Sequence, residues 1–224
     1  MADGPDVTVG ASAREEILGR IRAGLRDVPA AERPGDVEVQ RSYRLTDDRP
    51  RAELVALFAE RVGDYRARVS RVPAERLRQA VAEAAAELGL SRAAVAPGVP
   101  AQWLPEALAT IADDDLGIET LDELDLAISG CAAAIAETGT IVLDGGPLSG
   151  RRALTLVPDH HVCVVPADRV HGQLPEALAA VAPEVSGRGA PITLVSGPSA
   201  TSDIELERVE GVHGPRTLVV LIAE

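Results

Sequence analysis

Apolar residues recur along this chain at two spacings, one helical and one of strands. Ile17, Leu18, Ile21 and Leu25 share one face, and Ser12 with Glu15 three residues on has the form of a capping box that opens the helix. After Pro50, the residues Leu54, Val55, Phe58 and Val62 fall at helical spacing and Gly63 ends the run. A third helix is predicted over residues 74–88, with Leu77, Val81, Ala84, Ala85 and Leu88 apolar and Gly89 as its C-terminal cap. Between these lie strand patterns at 66–72 and 93–96. The second half is read as a helix at 103–111 and strands at 116–118, 126–128 and 132–135, the last two open to a strand-plus-short-helix reading. Strands follow at 140–143, 154–157 and 161–165, then a helix at 174–181 and strands at 192–195 and 218–222.

Continuous Val/Ile/Leu runs alternating with helices predict an α/β fold. The sheet is mostly parallel and covered by helices on both faces. In such sheets ligands sit at the carboxyl ends of the strands, so the loops there are expected to carry the chemistry. Residues 29–50 hold Pro29, Pro34, Gly35 and Pro50 among many charges. They divide the chain into an N-terminal helix and linker arm, 1–49, and an α/β domain, 50–224, and the arm is free to pack on its own chain or on a second subunit of a homo-oligomer.

Composition narrows the function. The chain has 224 residues, 22 basic against 35 acidic, and a net charge of -13, which argues against nucleic acid and anionic membranes as partners. There is no lysine, so a Schiff-base mechanism is excluded. The two cysteines, Cys131 and Cys163, form no C-x-x-C pair, and their apolar flanks read as buried strand. Neither an iron–sulfur cluster nor a metal is expected on this chain, and no cofactor is named by the pattern. No apolar run reaches the length of a membrane span, and the expected compartment is the cytoplasm.

Four polar segments interrupt the apolar pattern. Glu137-Thr138-Gly139-Thr140 places a carboxylate, two hydroxyls and a glycine between two strands, and Glu137 can act as base, nucleophile or acceptor, or simply sit in a turn. Pro158-Asp159-His160-His161 brings two histidines that, in a strand, point in opposite directions, so at most one faces a given pocket; His160 is taken as the ligand contact. Gly197-Pro198-Ser199-Ala200-Thr201-Ser202-Asp203 offers backbone N–H groups and hydroxyls to an anion, with Gly197, Pro198, Ser199, Thr201 and Asp203 as candidates and helix capping by Ser199 as the alternative. Gly211-Val212-His213-Gly214-Pro215 adds His213, a second catalytic candidate beside Glu137, and Gly214. Together they are read as one site for a small carboxylate or a phosphate-bearing ligand. The set contains no complete nucleophile–base–orienter group.

The runs IAETGTIVL, LVPDHHVCVV, SGPSATSDIE and GVHGP, in this order over about residues 90–224, resemble the LUD-domain family. The resemblance implies a fold similar to the sugar-phosphate isomerase and CoA-transferase group. It also implies a role in oxidising lactate to pyruvate alongside iron–sulfur partner proteins, with this chain as the cluster-free component. The family often carries a basic or amide residue after GPS, where this chain has Ala200, which makes Arg151 and Arg152 candidates to hold the anion instead. Two other readings stay open: a CoA-transferase- or ligase-like enzyme using Glu137, and a binding module without chemistry.

Overall fold

The computed structural model describes residues 12–29, 31–33, 35–36, 40–198 and 214–224. The chain divides into two compact units, Met1–Tyr43 and Arg44–Glu224. The first contains helix α1 (Ala13–Gly24), whose capping box forms: Glu15 N–H donates to Ser12 Oγ at 3.3 Å and Ser12 N–H donates to Glu15 Oε2 at 2.8 Å.

The second unit runs α2 (Arg51–Asp64), β1 (Arg68–Val72), α3 (Leu77–Glu87), β2 (Arg92–Val95), β3 (Ala109–Ala112), α4 (Ile118–Leu124), β4 (Leu126–Ser129), β5 (Ala133–Ile135), β6 (Thr140–Leu143), β7 (His160–Pro166), β8 (Val170–His171), α5 (Leu174–Arg188), β9 (Thr193–Val195) and β10 (Thr217–Ala223). Six strands form a wholly parallel sheet in the order β1-β10-β7-β4-β2-β3. A second sheet, β8-β5-β6-β9, is mixed, because β5 and β6 are joined by the tight Glu137–Gly139 turn and must run antiparallel.

The alternation of side chains along β7 separates two cores. Val162 and Val164 face Leu77 and Val81 of α3, whereas Cys163 and Val165 face Phe58 and Val62 of α2 together with Ile141 and Leu143 of the second sheet. A third cluster packs Ala177 and Val181 of α5 on Ala133, Ile135 and Val142. The α/β class and the mostly parallel main sheet are as the sequence predicts.

Three elements differ. Residues 103–111 are not a helix: a 3₁₀ turn at Ala101–Trp103 ends before Pro105, and Ala109–Ala112 pairs with β2 as a strand. Pro105 offers no N–H and biases Leu104 towards extended backbone, which defeats a helix through this stretch. Residues 116–118 are not a strand but lead into α4, whose spacing buries Leu121 and Leu124. Residues 154–157 form turns, not a strand; Leu154, Leu156 and Val157 N–H groups donate to Arg151 and Ala153 carbonyls three or four residues back. Conversely, α5 extends to Arg188 beyond the predicted 181, carrying Pro183 inside it.

Candidate functional site

The segments before β7 and before β10 meet at the amino ends of the two parallel strands. Asp159 O accepts from the N–H groups of Arg216 and Thr217 at 2.7 and 3.2 Å, which fixes the two approaches side by side. The expectation of a site at the carboxyl ends is thus corrected for these loops. Both precede their strands in sequence, and a segment that leads into a strand lies at its amino end.

Here a cavity of about 310 Å³ is lined by Arg152, Thr155, His161, the 193–198 segment, Gly214 and Pro215. His161 lies on the second-sheet face of β7 and is only 2% exposed. Its Nε2 is 2.8 Å from Ser129 Oγ, at the end of β4. Burial, and secondarily the positive Arg152, lower its pKa to about 4, so the ring is uncharged at neutral pH. Arg152 Nη1 donates to Thr155 O at 3.3 Å and to Thr155 Oγ1 at 3.2 Å. Burial lowers its pKa too, but a guanidinium keeps its charge. The cavity therefore combines one cation with a neutral imidazole, in a protein whose net charge is -13.

A chain of hydroxyls ties the β5–β6 turn to this cavity. Thr138 Oγ1 is 2.7 Å from Thr140 Oγ1, which is 2.7 Å from Ser196 Oγ. Thr140 thus stands one hydrogen bond from the lining. The glycines at both ends of the chain allow close backbone approach to the end of α2. A Cβ on Gly139 (φ +59°) would stand 2.6 Å from Arg61 C and Val62 N, and one on Gly197 (φ +83°) would stand 2.5 Å from Tyr65 Cβ.

Glu137 points elsewhere. Its Oε2 accepts from Arg49 Nη2 at 3.0 Å and Gln173 Nε2 at 3.5 Å, and pairs with Arg44 at 3.7 Å. It borders a separate cavity lined by the 44–50 segment. Asp47, with its side chain 4% exposed, anchors that segment by hydrogen bonds from Arg49 and Gln173, and the Arg49 hydrogen bond holds its carboxyl well below the usual range. The Asp47 hydrogen bond in turn raises the Arg49 pKa. The Asp47 side chain lies on Gly172, where a Cβ would meet its Cβ.

The structure thus brings Gly197, Pro198 and Gly214 together with His161 and Arg152, and places Glu137 on another surface. His160 and His161 point to opposite faces of β7, and it is His161 that lines the cavity. His160 Nδ1 is buried without a hydrogen-bond partner. Ser199, Thr201, Asp203 and His213 lie outside the described residues. Of the two arginines offered for Ala200, Arg151 pairs with Asp113 at 2.7 Å away from the cavity, and Arg152, itself hydrogen-bonded to Thr155, lines the cavity. Ser129 had no signal in the sequence beyond a hydroxyl closing an apolar run. Among the described residues, no group of three His, Cys, Asp or Glu side chains could hold a metal, and no helix is long and apolar enough to cross a membrane.

The LUD domain model matches residues 55–223. The chain is 43% identical over 214 residues to lactate utilization protein C of Deinococcus radiodurans, covering 95% of this chain and 96% of that one. It is 25% identical to lactate utilization protein C of Halalkalibacterium halodurans, over 94% and 97% of the two chains. A crystal structure of a DUF162 family protein from Deinococcus radiodurans superposes with a TM-score of 0.67 at 40% identity, covering 79% of this chain and 99% of that one. With its ordered motifs, its parallel sheet and these full-length matches, the chain belongs to the LUD domain family.

Proposed function

We propose that this chain acts in lactate utilization, as the cluster-free component of a cytoplasmic system that oxidises lactate to pyruvate with iron–sulfur partner proteins. Its Arg152–His161 cavity binds a small carboxylate. The names of the relatives support the pathway, and one observation carries the ligand class. Arg152, a guanidinium suited to fork-like recognition of a carboxylate, faces the same cavity as the uncharged His161, beside the backbone of Ser196–Pro198. A volume of about 310 Å³ suits a ligand of few heavy atoms. In a protein of net charge -13, a cavity whose described lining holds a cation and no carboxylate is a place where an anion would collect. The two thiols, both buried and both raised above the usual cysteine pKa by that burial, fit a division of labour in which redox clusters reside on partners.

Deleting the gene and complementing it with the native chain or with Arg152→Gln tests this reading. Growth on lactate as the carbon source is expected to fail on deletion, return with the native chain and stay impaired with Arg152→Gln. Undiminished growth of the deletion strain would refute the pathway assignment. Full rescue by Arg152→Gln would refute the role of the cavity.

A further inference from the structure

The two edges of the six-stranded sheet differ in what guards them. β1 carries Arg68 and Arg71, both with exposed side chains, and charges on an edge oppose pairing with another strand. β3 is the other edge, and Ala109, Thr110, Ile111 and Ala112 are all exposed and all uncharged. Ile111 is the large apolar side chain among them, 38% exposed.

The backbone fixes which groups of β3 are free. Ala109 N–H donates to Ser91 O at 2.9 Å and Asp113 N–H to Val95 O at 2.8 Å, so the odd-numbered residues turn their amides towards β2. By the strand period, Thr110 and Ala112 turn their N–H and C=O groups outward. No described strand lies on that side of the sheet. The Ala112 carbonyl accepts from Asp114 N–H at 2.9 Å and keeps a second lone pair.

We infer that β3 pairs antiparallel with β3 of a second copy of this chain, about a two-fold axis through Ile111. In that register Thr110 lies opposite Ala112 of the second copy and exchanges both N–H···O bonds with it, and symmetry repeats the exchange. An axis through Thr110 would instead set Ala112 against Leu108, whose N–H already donates to Pro105 O at 3.2 Å. With the axis at Ile111, this side chain faces its own counterpart at a non-hydrogen-bonded position, where opposed side chains come closest, and the two lose water together. The acidic run that follows does not oppose the pairing. Asp113 is already paired with Arg151 at 2.7 Å. The two Asp114 residues stand about 20 Å apart along the strands, beyond a Debye length of about 8 Å. The antiparallel direction also carries the exposed Ile118 of the second copy towards the start of β3, where an apolar cavity of about 190 Å³ is lined by Ala82, Ala85, Ala86, Leu90 and Leu108.

So short an edge buries little area, and the dimer is therefore weak and concentration-dependent. Sedimentation of the full chain from about 10 to about 500 µM should show its mass rising from monomer towards dimer. Ile111→Lys sets like charges opposite each other and should weaken the association at least about tenfold. Thr110→Pro removes an outward N–H at an edge position that proline tolerates, and should have the same effect with a native circular dichroism spectrum. Ser70→Lys on the opposite edge should leave the association unchanged. A disulfide reads the register, since both native cysteines are buried. Ile111→Cys should link to its copy on mild oxidation, because residues opposed at that position stand about 4.5 Å apart at Cα, whereas Asp114→Cys should not. A monomer over the whole range, or an Ile111→Cys chain that does not link, overturns the inference. So does a dimer that survives Ile111→Lys and is lost in Ile21→Lys, which would assign the association to the exposed face of α1.

Discussion

Arg151 closes on Asp113 as a two-pronged ion pair: Nε donates to Oδ2 at 2.9 Å and Nη2 to Oδ1 at 2.7 Å. The Asp113 side chain is fully buried and the arginine is one-third exposed. Oδ1 also accepts from Leu116 N–H at 3.2 Å, and the guanidinium reaches the Leu116 carbonyl. The pair ties the loop that carries Arg152 to the carboxyl end of β3. Two neighbouring arginines thus differ in role: Arg151 holds the frame, and Arg152 faces the cavity.

Breaking this pair from the exposed side leaves a buried carboxylate without its cation. Arg151→Met is expected to cost about 3 kcal/mol, read as a fall in the urea midpoint. The double variant Arg151→Met with Asp113→Leu removes the stranded charge and should recover part of the loss. Equal stability of the single variant and the native chain would show that Asp113 finds other compensation.

The glycines at 139 and 197 should behave unlike Gly187. Alanine at either of the first two meets backbone or Cβ atoms of α2 and Tyr65 within 2.6 Å and must also hold a positive φ. Strain and overpacking together predict a loss of about 2–4 kcal/mol each. Gly187 lies inside α5 with nothing within 4 Å of an added Cβ, so Gly187→Ala should stabilise by about 0.5–1 kcal/mol. Thermal unfolding of the three variants separates the cases, and a stabilised Gly139→Ala would contradict the close approach.

Much of the fold was legible because apolar spacing reports burial directly. Leu54, Val55, Phe58 and Val62 form the buried stripe of α2, and the run from Val162 to Val165 is a central strand. Errors arose where spacing was overruled by a local constraint. Pro105 breaks the helical pattern of 103–111, and residues 154–157 close into turns on Arg151 and Ala153 that bury Leu154 and leave Leu156 exposed. For the cavity, the order of loops and strands already contains the amino-end placement. The strand period also states that His160 and His161 part company, without saying which one faces the cavity. The Ser129–His161 contact was not legible, because it joins residues 32 apart through the register of β4 against β7. The anchoring of Glu137 by Arg44 and Arg49 was hidden for the same reason.

Cys131 and Cys163 should be chemically silent in the folded protein. Both are buried, and burial pushes Cys163 up to about 12 and Cys131 in the same direction. The thiolate is the reactive form, so a disulfide thiol reagent should find no fast-reacting group in the native state and two in denaturant. A rapid native reaction at either site would mean that the core opens locally.

Acid should weaken the fold in a window set by His161. Its pKa falls from 6.5 to about 4 on folding, mainly because burial disfavours the charged ring. Above pH 6.5 both states are neutral there and the full stability is present. As pH drops from 6.5 towards 4, the unfolded chain takes up a proton that the folded one refuses, so stability declines, by about 3 kcal/mol across the window. His171 is shifted in the same direction by its burial and adds to the slope. The depressed carboxyls of Asp47 and Asp144 act with the same sign but at lower pH, below the ordinary carboxylate value of 3.8. Urea midpoints measured from pH 4 to 8 should therefore rise with pH up to about 6.5 and then level. His161→Gln, whose amide can either donate to or accept from Ser129 and cannot be protonated, should flatten most of that rise; an unchanged slope in this variant would assign the acid sensitivity to other groups.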